Sequence, residues 1–555
     1  MGSELTNNVS EGHKNKRTKY LIVSGGVISG VGKGVATASI GKILKEYGFS
    51  VTAIKIDPYI NCDAGTLRPT EHGEVWVTDD GGEIDQDLGN YERFLGQSIP
   101  KKNNITTGQI YKELIEKERR GDFLGETVEV VPHVPEEIKR RIHDAGDNFD
   151  IVLIEIGGTV GEYQNSLFQF AVRSLENDVG RENICFVLVT YMPIPSHIEE
   201  MKTKPSQMSV NLLRNSGIEP DFLLCRGKNP LDNIRKKKLE RNINIKAENI
   251  ISMPDVSGVG RPNSIYIIPL QLELESLGIK ILNRLNLQAK KNPNWTEWKN
   301  AVEMSINPEK EINIGIVGKY LDIGDYQLVD TYLSIREALR HAGAHNNCRV
   351  KISWIDSKKL EQEDANKLLG DLNGIIIPGG FGSKGVEGKI KAIRFCRENN
   401  IPFLGLCYGM QLAVVEFARN VCGLNSANTT EIAPDTKYPV IDILPEQKTI
   451  ENKGGTMRLG AYKAILKPET KTSELYQQAE AWERHRHRYE VNPEYHKILQ
   501  DKGLIFSGLS ENGRLVEFIE LPLKFFIATQ AHPEFKSSLL KPAPLFIGFV
   551  KSCLG

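Results

Sequence analysis

The most reactive pattern in the chain is GLCYGMQ (residues 405–411), answered far downstream by AHPEF (residues 531–535). Cys407 stands between an apolar run, IPFLGL, and a helical run, MQLAVVEFA, and is flanked by Gly405 and Gly409. A nucleophile needs such a setting. Glycines allow a tight, strained turn, and a helix N-terminus favours negative charge on the sulfur. His532 is the candidate general base and Glu534 the carboxylate that orients it. Gly379 and Gly380 in IIIPGGFG end another apolar run and can turn backbone N–H groups toward an oxyanion. These residue types in this order point to amide hydrolysis.

A second pattern, SGGVISGVGKG (residues 24–34), follows a strand-like run and opens a helix. Backbone N–H groups around Ser29, Gly30, Val31, Gly32, Gly34 and Val35 can cradle phosphates, and Lys33 can reach the outer ones. The spacing departs from GxxxxGK[ST]: one residue too many separates Gly26 from Gly32, and Gly34 stands where a hydroxyl would hold magnesium. The metal therefore needs carboxylates, for which Asp85, Asp87 and Glu155 are candidates. A chain carrying both patterns could make ammonia at one site and spend ATP to install it at the other.

Short apolar runs (KYLIVSGG, SVTAIKIDPY, DIVLIEIGG, ENICFVLVTYM) alternate with helical periods, which predicts an α/β fold with a parallel sheet covered on both faces. A polar, proline-broken stretch at 285–310 reads as a linker, and a second α/β pattern starts at INIGIVGKY. The boundaries expected are a disordered tail over 1–18, one domain over 19–284 and another over 311–555. A formal net charge of -1 offers no basic field for nucleic acid. No run approaches the roughly 18 apolar residues of a membrane span. Eight scattered cysteines without a CxxC pair suit reduced thiols in a cytoplasmic protein. By itself the basic run IRKKKLER (residues 234–241) reads as a solvated helix face.

Longer blocks carry a resemblance. KIDPYINCDAGTLRPTEHGEV, DDGGEIDQDLGNYERF, YKELIEKERRGDFLG, EIGGTVGE, KTKPSQ, PGGFGSKGVEGK, GGTMRLG and RHRHRYEVN make the chain similar to the CTP synthase family from about Lys19 onward. The resemblance implies two doubly wound domains, an N-terminal P-loop-like amidoligase and a C-terminal, flavodoxin-like class I glutamine amidotransferase. It implies that ATP, with Mg2+, phosphorylates O4 of UTP. Ammonia from L-glutamine then passes through a tunnel and displaces the phosphate to give CTP. GTP as activator, CTP as inhibitor, homotetramers and filaments are implied as well. It assigns Lys33 and Lys55 to the transferring phosphate, Asp87 and Glu155 to magnesium, and Pro254, Asp255 and Val256 to the adenine. Ser29, the run containing Lys202, Lys204 and Gln207, and Lys238 from a neighbouring subunit go to the UTP or CTP triphosphate. Gly380, Tyr408, Gln411, Glu431 and Arg488 go to glutamine. The loop around 455–460 goes to GTP activation.

The departures cluster. Where the family reads GTVGDIES this chain has GTVGEYQN, so Glu162 and Gln164 replace Asp and Glu; Phe170 fills a position usually acidic, and residues 193–201 differ. Tyr408 and Lys384 also depart from the pattern. The first group falls where the family recognises the pyrimidine nucleotide. Either CTP feedback is altered, or the acceptor is a nucleotide other than UTP.

Overall fold

In the computed structural model of the chain, contacts divide it into two units that interleave along the sequence. The first comprises 1–58, 110–255 and 271–293, the second 59–109, 256–270 and 294–555. The structure describes residues 18–68, 73–197, 200–258, 263–318, 322–323, 326–327, 329–447 and 455–555. Nearly all of the expected N-terminal tail, residues 198–199 of the divergent segment and Gly454 of GGTMRLG lie outside these.

Six strands of the first unit lie in the order Val51–Asp57, Ile151–Ile156, Lys19–Gly25, Ile184–Met192, Phe222–Gly227 and Ile250–Pro254. All are parallel. Their continuous apolar runs have a direct cause: every residue of Val51–Asp57 and of Ile151–Ile156 is buried, because crossover helices cover both faces. Order along the chain and order in the sheet disagree at Lys19–Gly25, which lies between later strands. At such a switch point, loops leave the carboxyl ends of neighbouring strands in opposite directions and open a crevice. The phosphate-loop pattern, Lys55 and Glu155 all sit at these carboxyl ends.

The second unit contains a nine-stranded sheet. Cys348–Asp356, Lys310–Gly318, Gly374–Ile377, Phe403–Leu406 and Phe526–Thr529 are parallel. Val516–Leu521, Ile505–Ser510, Arg458–Leu466 and Glu480–His487 extend it antiparallel. The extension follows from connection length, since the short links around residues 511–515 and 522–525 can turn a hairpin but cannot hold a crossover. The stretch 285–310, read from sequence as a linker, contains a helix, Thr296–Ile306. Its Trp298 is buried and donates Nε1–H to Tyr266 O at 2.8 Å. Among the described residues no helix is long and apolar enough to cross a membrane.

Candidate active sites

Cys407 ends the strand Phe403–Leu406 and caps the helix Tyr408–Asn420, with φ 51° and ψ −101°. A side chain other than glycine seldom takes a positive φ, so surrounding structure must impose it. Two contacts do so. The Cys407 N–H donates to Thr529 O at 2.7 Å. Gly409 lies so close to the neighbouring strand that a Cβ there would meet Ile377 O at 2.2 Å. The fold thus holds the sulfur at the carboxyl edge of the parallel strands.

His532 and Glu534 follow the adjacent strand Phe526–Thr529, and His532 Nδ1 lies 2.7 Å from Glu534 Oε1. Burial pushes the His532 pKa down. The Glu534 carboxylate and the hydrogen-bonded Cys407 sulfur outweigh it and hold the value at about 10. Gly379 gives the imidazole room, since a Cβ there would stand 2.8 Å from His532 Cε1. Cys407, His532, Glu534, Gly379 and Gly380 line one cavity of about 250 Å³. Glu74, not singled out from sequence, lines it too. Burial raises the Glu74 carboxyl pKa to about 7 against hydrogen bonds from the Ser334 backbone and hydroxyl.

The residues expected to hold glutamine are placed in different ways. Gly380 lines it. Tyr408 Oη donates to Gly382 O at 2.9 Å, and Glu431 Oε1 accepts from Gly382 N at 2.7 Å, so both fasten the glycine loop beside the nucleophile. Arg488 donates to Gln447 Oε1 at 2.5 Å and to Thr456 Oγ1 at 3.0 Å. Gln411 is buried, and its Nε2 donates to Tyr489 O at 2.9 Å and Gln530 Oε1 at 3.3 Å. The 455–460 loop is fastened to an early segment of the same unit: Gly455 N donates to Glu83 Oε2 at 3.1 Å and Ala461 N to Asp79 O at 2.9 Å. Glu83 also takes Arg486 Nε at 2.7 Å, and Asp79 takes Arg484 Nε at 2.6 Å. Sequence reasoning could not pair these residues, which lie about four hundred positions apart.

The first unit builds a second site. Gly32, in the left-handed region at φ 84°, caps the helix Lys33–Glu46. Lys33 Nζ donates to Gly158 O at 2.7 Å. Lys55 and Glu155 face each other across paired strands. Lys55 Nζ stands 3.6 Å from Glu155 Oε1 and 3.5 Å from Asp57 Oδ1, and all three residues are buried. Asp57 is a carboxylate that sequence reasoning passed over, although it is two positions from Lys55 on the same strand face. Asp255 pairs with Arg226 at 2.6 Å, and Arg226 Nη1 donates to Gly30 O at 2.9 Å, which ties the end of the sixth strand to the loop. Glu162 accepts from Thr159 Oγ1 at 2.7 Å and from Gln164 Nε2 at 3.2 Å, beside Gly158. Phe170, on the helix Ser166–Val179, is 44% exposed. Pro254 ends its strand. Lys202 pairs with Glu200 at 2.7 Å, Lys204 opens the helix Lys204–Asn215, and Gln207 Nε2 donates to Thr203 Oγ1 at 3.0 Å. Lys238 lies exposed on the helix Asn233–Ile243, and Ser29 is exposed in its loop. Asp87 and Val256 belong to the second unit, Asp87 opening the helix Asp87–Leu95.

Among the described residues no group of three or more His, Cys, Asp or Glu is arranged to hold a metal ion. The pair Asp57 and Glu155 nevertheless suits Mg2+, which takes one or two carboxylates and completes its shell with phosphate oxygens and water.

A strained cysteine at a helix N-terminus, a His–Glu pair and a glycine-lined cavity, joined in one chain to a parallel-sheet unit with a lysine-bearing phosphate loop, define a glutaminase-coupled ligase. The chain matches the family described as CTP synthase N-terminus over residues 19–287 and that described as glutamine amidotransferase class-I over 327–552. It is 52% identical to the CTP synthase of Methanocaldococcus jannaschii over 97% of this chain and 99% of that one. It is 51% identical to the CTP synthase of Pyrococcus abyssi over 96% and 98%. A solved structure of the glutaminase domain of Trypanosoma brucei CTPS with bound acivicin is 37% identical, covering 44% of this chain and 94% of that one at a TM-score of 0.40. The chain belongs to the CTP synthase family.

Proposed function

We propose that the chain converts UTP to CTP, using ATP and the nitrogen of L-glutamine. In the glutaminase half-reaction His532 takes the proton of Cys407 and the sulfur attacks the glutamine amide carbon. The oxyanion accepts hydrogen bonds from backbone N–H groups at Gly380 and Tyr408. His532 then gives its proton to the departing nitrogen, and ammonia leaves a γ-glutamyl thioester on Cys407. Water, deprotonated by His532, hydrolyses the thioester to glutamate and restores the thiol.

In the ligase half-reaction O4 of UTP attacks the γ-phosphorus of ATP, the bond from that phosphorus to the bridging oxygen breaks to release ADP, and the N3 proton of the uracil is lost. Ammonia adds at C4 of the resulting phosphoryl ester, a proton is lost, and inorganic phosphate departs to give CTP. Lys33 and Lys55 supply positive charge where the transferring phosphoryl group carries negative charge. Glu155 and Asp57 would hold Mg2+, which lends charge neutralisation to the phosphates. GTP activation through the 455–460 loop and CTP competition at the UTP triphosphate site belong to the same reading.

The observation that carries it is the Cys407–His532–Glu534 constellation in one chain with the Lys33 and Lys55 crevice. Incubation with ATP, Mg2+, a panel of oxo-nucleotides and either glutamine or ammonium chloride, followed by mass identification of products, is the test. CTP from UTP with both nitrogen sources is expected. A different aminated nucleotide would reassign the acceptor, and the absence of any would overturn the reading.

A further inference from the structure

Gln530 stands two residues before His532, just past the end of the strand Phe526–Thr529. It is fully buried. Its backbone N–H donates to Glu517 O at 2.9 Å, which fixes the main chain. Its side chain spans two functional groups. Nε2 donates to Cys407 Sγ at 3.6 Å, and Oε1 accepts from Gln411 Nε2 at 3.3 Å. Gln411 is anchored in turn, since the same Nε2 donates to Tyr489 O at 2.9 Å. The relay fixes the orientation of the Gln530 amide: Gln411 presents N–H, so Gln530 presents oxygen there and N–H to the sulfur.

On its other side the Cys407 thiol donates to Arg486 O at 3.8 Å. The two contacts respond oppositely to ionisation. A thiol can donate to the Arg486 carbonyl, whereas a thiolate has no proton to give and is repelled by it. The Gln530 N–H gains, because donation to a charged acceptor is the stronger hydrogen bond. We infer that Gln530 is a positioning residue that steadies the Cys407 thiolate, aligned by the relay from Tyr489 O through Gln411. This rests on Cys407 being the glutaminase nucleophile.

The test uses the full-length chain and follows iodoacetamide alkylation of the Cys407 peptide by mass spectrometry from pH 6 to 10, beside glutaminase kinetics. Gln530→Met keeps the length and removes the donor. Alkylation near pH 7 should fall about tenfold and rejoin the wild-type rate at high pH. The kcat for glutamine hydrolysis should fall by a similar factor with KM little changed, and ammonia-dependent synthesis should stay intact. Gln530→Glu should lower reactivity further as its carboxylate ionises beside the sulfur, and Gln530→Asn, too short to reach, should resemble the Met variant. A wild-type alkylation profile in Gln530→Met, or an equal loss at every pH, overturns the inference. Cys407→Ala serves as the control: glutaminase activity surviving in it would instead overturn the nucleophile assignment.

Discussion

Cys407 and Lys55 are similarly buried, 3% and 5% exposed, yet their surroundings differ in kind. Hydrogen bonds link the Cys407 sulfur to the His532 imidazole, to the Gln530 amide N–H and to the Arg486 carbonyl. Lys55 instead stands between Asp57 and Glu155 at 3.5 and 3.6 Å, longer than the 2.7–2.9 Å of a direct charge-assisted bond. Two buried carboxylates thus flank one buried ammonium. The glutaminase region is assembled from side chains bonded to one another. The ligase region sets opposite charges beside one another at longer range.

The largest effect should come from Cys407→Ala. Glutamine-dependent CTP formation should drop on the order of 10⁴-fold or more, since a covalent nucleophile is lost, while ammonia-dependent formation persists. Loss of both in a folded variant would show that the two regions are not separable. Lys33→Ala should act on the other side, lowering synthesis from either nitrogen source on the order of 10²–10³-fold, the scale for removing one preorganised charge-stabilising group. Glutamate release without synthesis should survive in it. Lys55→Met should in addition lower stability by about 3–5 kcal/mol, because it takes a buried ammonium from beside two buried carboxylates. Calorimetric unfolding that matches wild type would refute the charge-balance account.

A smaller effect concerns the exposed rim of the ligase region. Gln164 spends its amide on Glu162, and Phe170 offers an apolar surface. CTP should therefore inhibit the wild type weakly, and the double change Gln164→Glu, Phe170→Glu should tighten inhibition about tenfold, the worth of roughly one charged hydrogen bond. A CTP titration that does not move between the two proteins would remove these positions from feedback.

A last effect, on stability alone, tests the cost of preassembly. Glu483 is buried, and burial raises its pKa to about 7 against the nearby Lys536 charge and a hydrogen bond from Tyr476. A carboxyl with a raised folded-state pKa favours the protonated fold. Its contribution is complete below the unfolded value near 4.5 and is lost as pH rises to about 7. Glu483→Gln stays neutral, so the variant should gain about 1–3 kcal/mol over wild type between pH 5 and 7.5. Parallel melting curves for the two proteins across that range would refute the assignment.

Much of this was legible before any coordinates. The elbow could be read because the tight turn at Cys407 demands close packing, and close packing demands glycine at 405 and 409. The parallel sheet could be read because strands buried on both faces have no polar alternation. Other features were not legible, and each for a reason. The antiparallel half of the second sheet depends on loop lengths that look ordinary in a linear reading. The 285–310 stretch is polar because most of the helix within it is exposed, and only Trp298 and Val302 of that helix are buried.

The sequence alone determined which chemistry the chain carries, since a cysteine in a glycine turn, a His-Pro-Glu and a lysine-bearing phosphate loop are local patterns whose function follows from residue type. Only the tertiary structure decided how that chemistry is supported. Gln530 reaches Cys407 because two parallel strands lie side by side. Asp57 joins Lys55 and Glu155 because two strands pair in one register. Asp79 and Glu83 meet Arg484 and Arg486 because segments four hundred residues apart fold into one unit. Such partners are chosen by distance in space, which strand register and packing set and no linear spacing encodes.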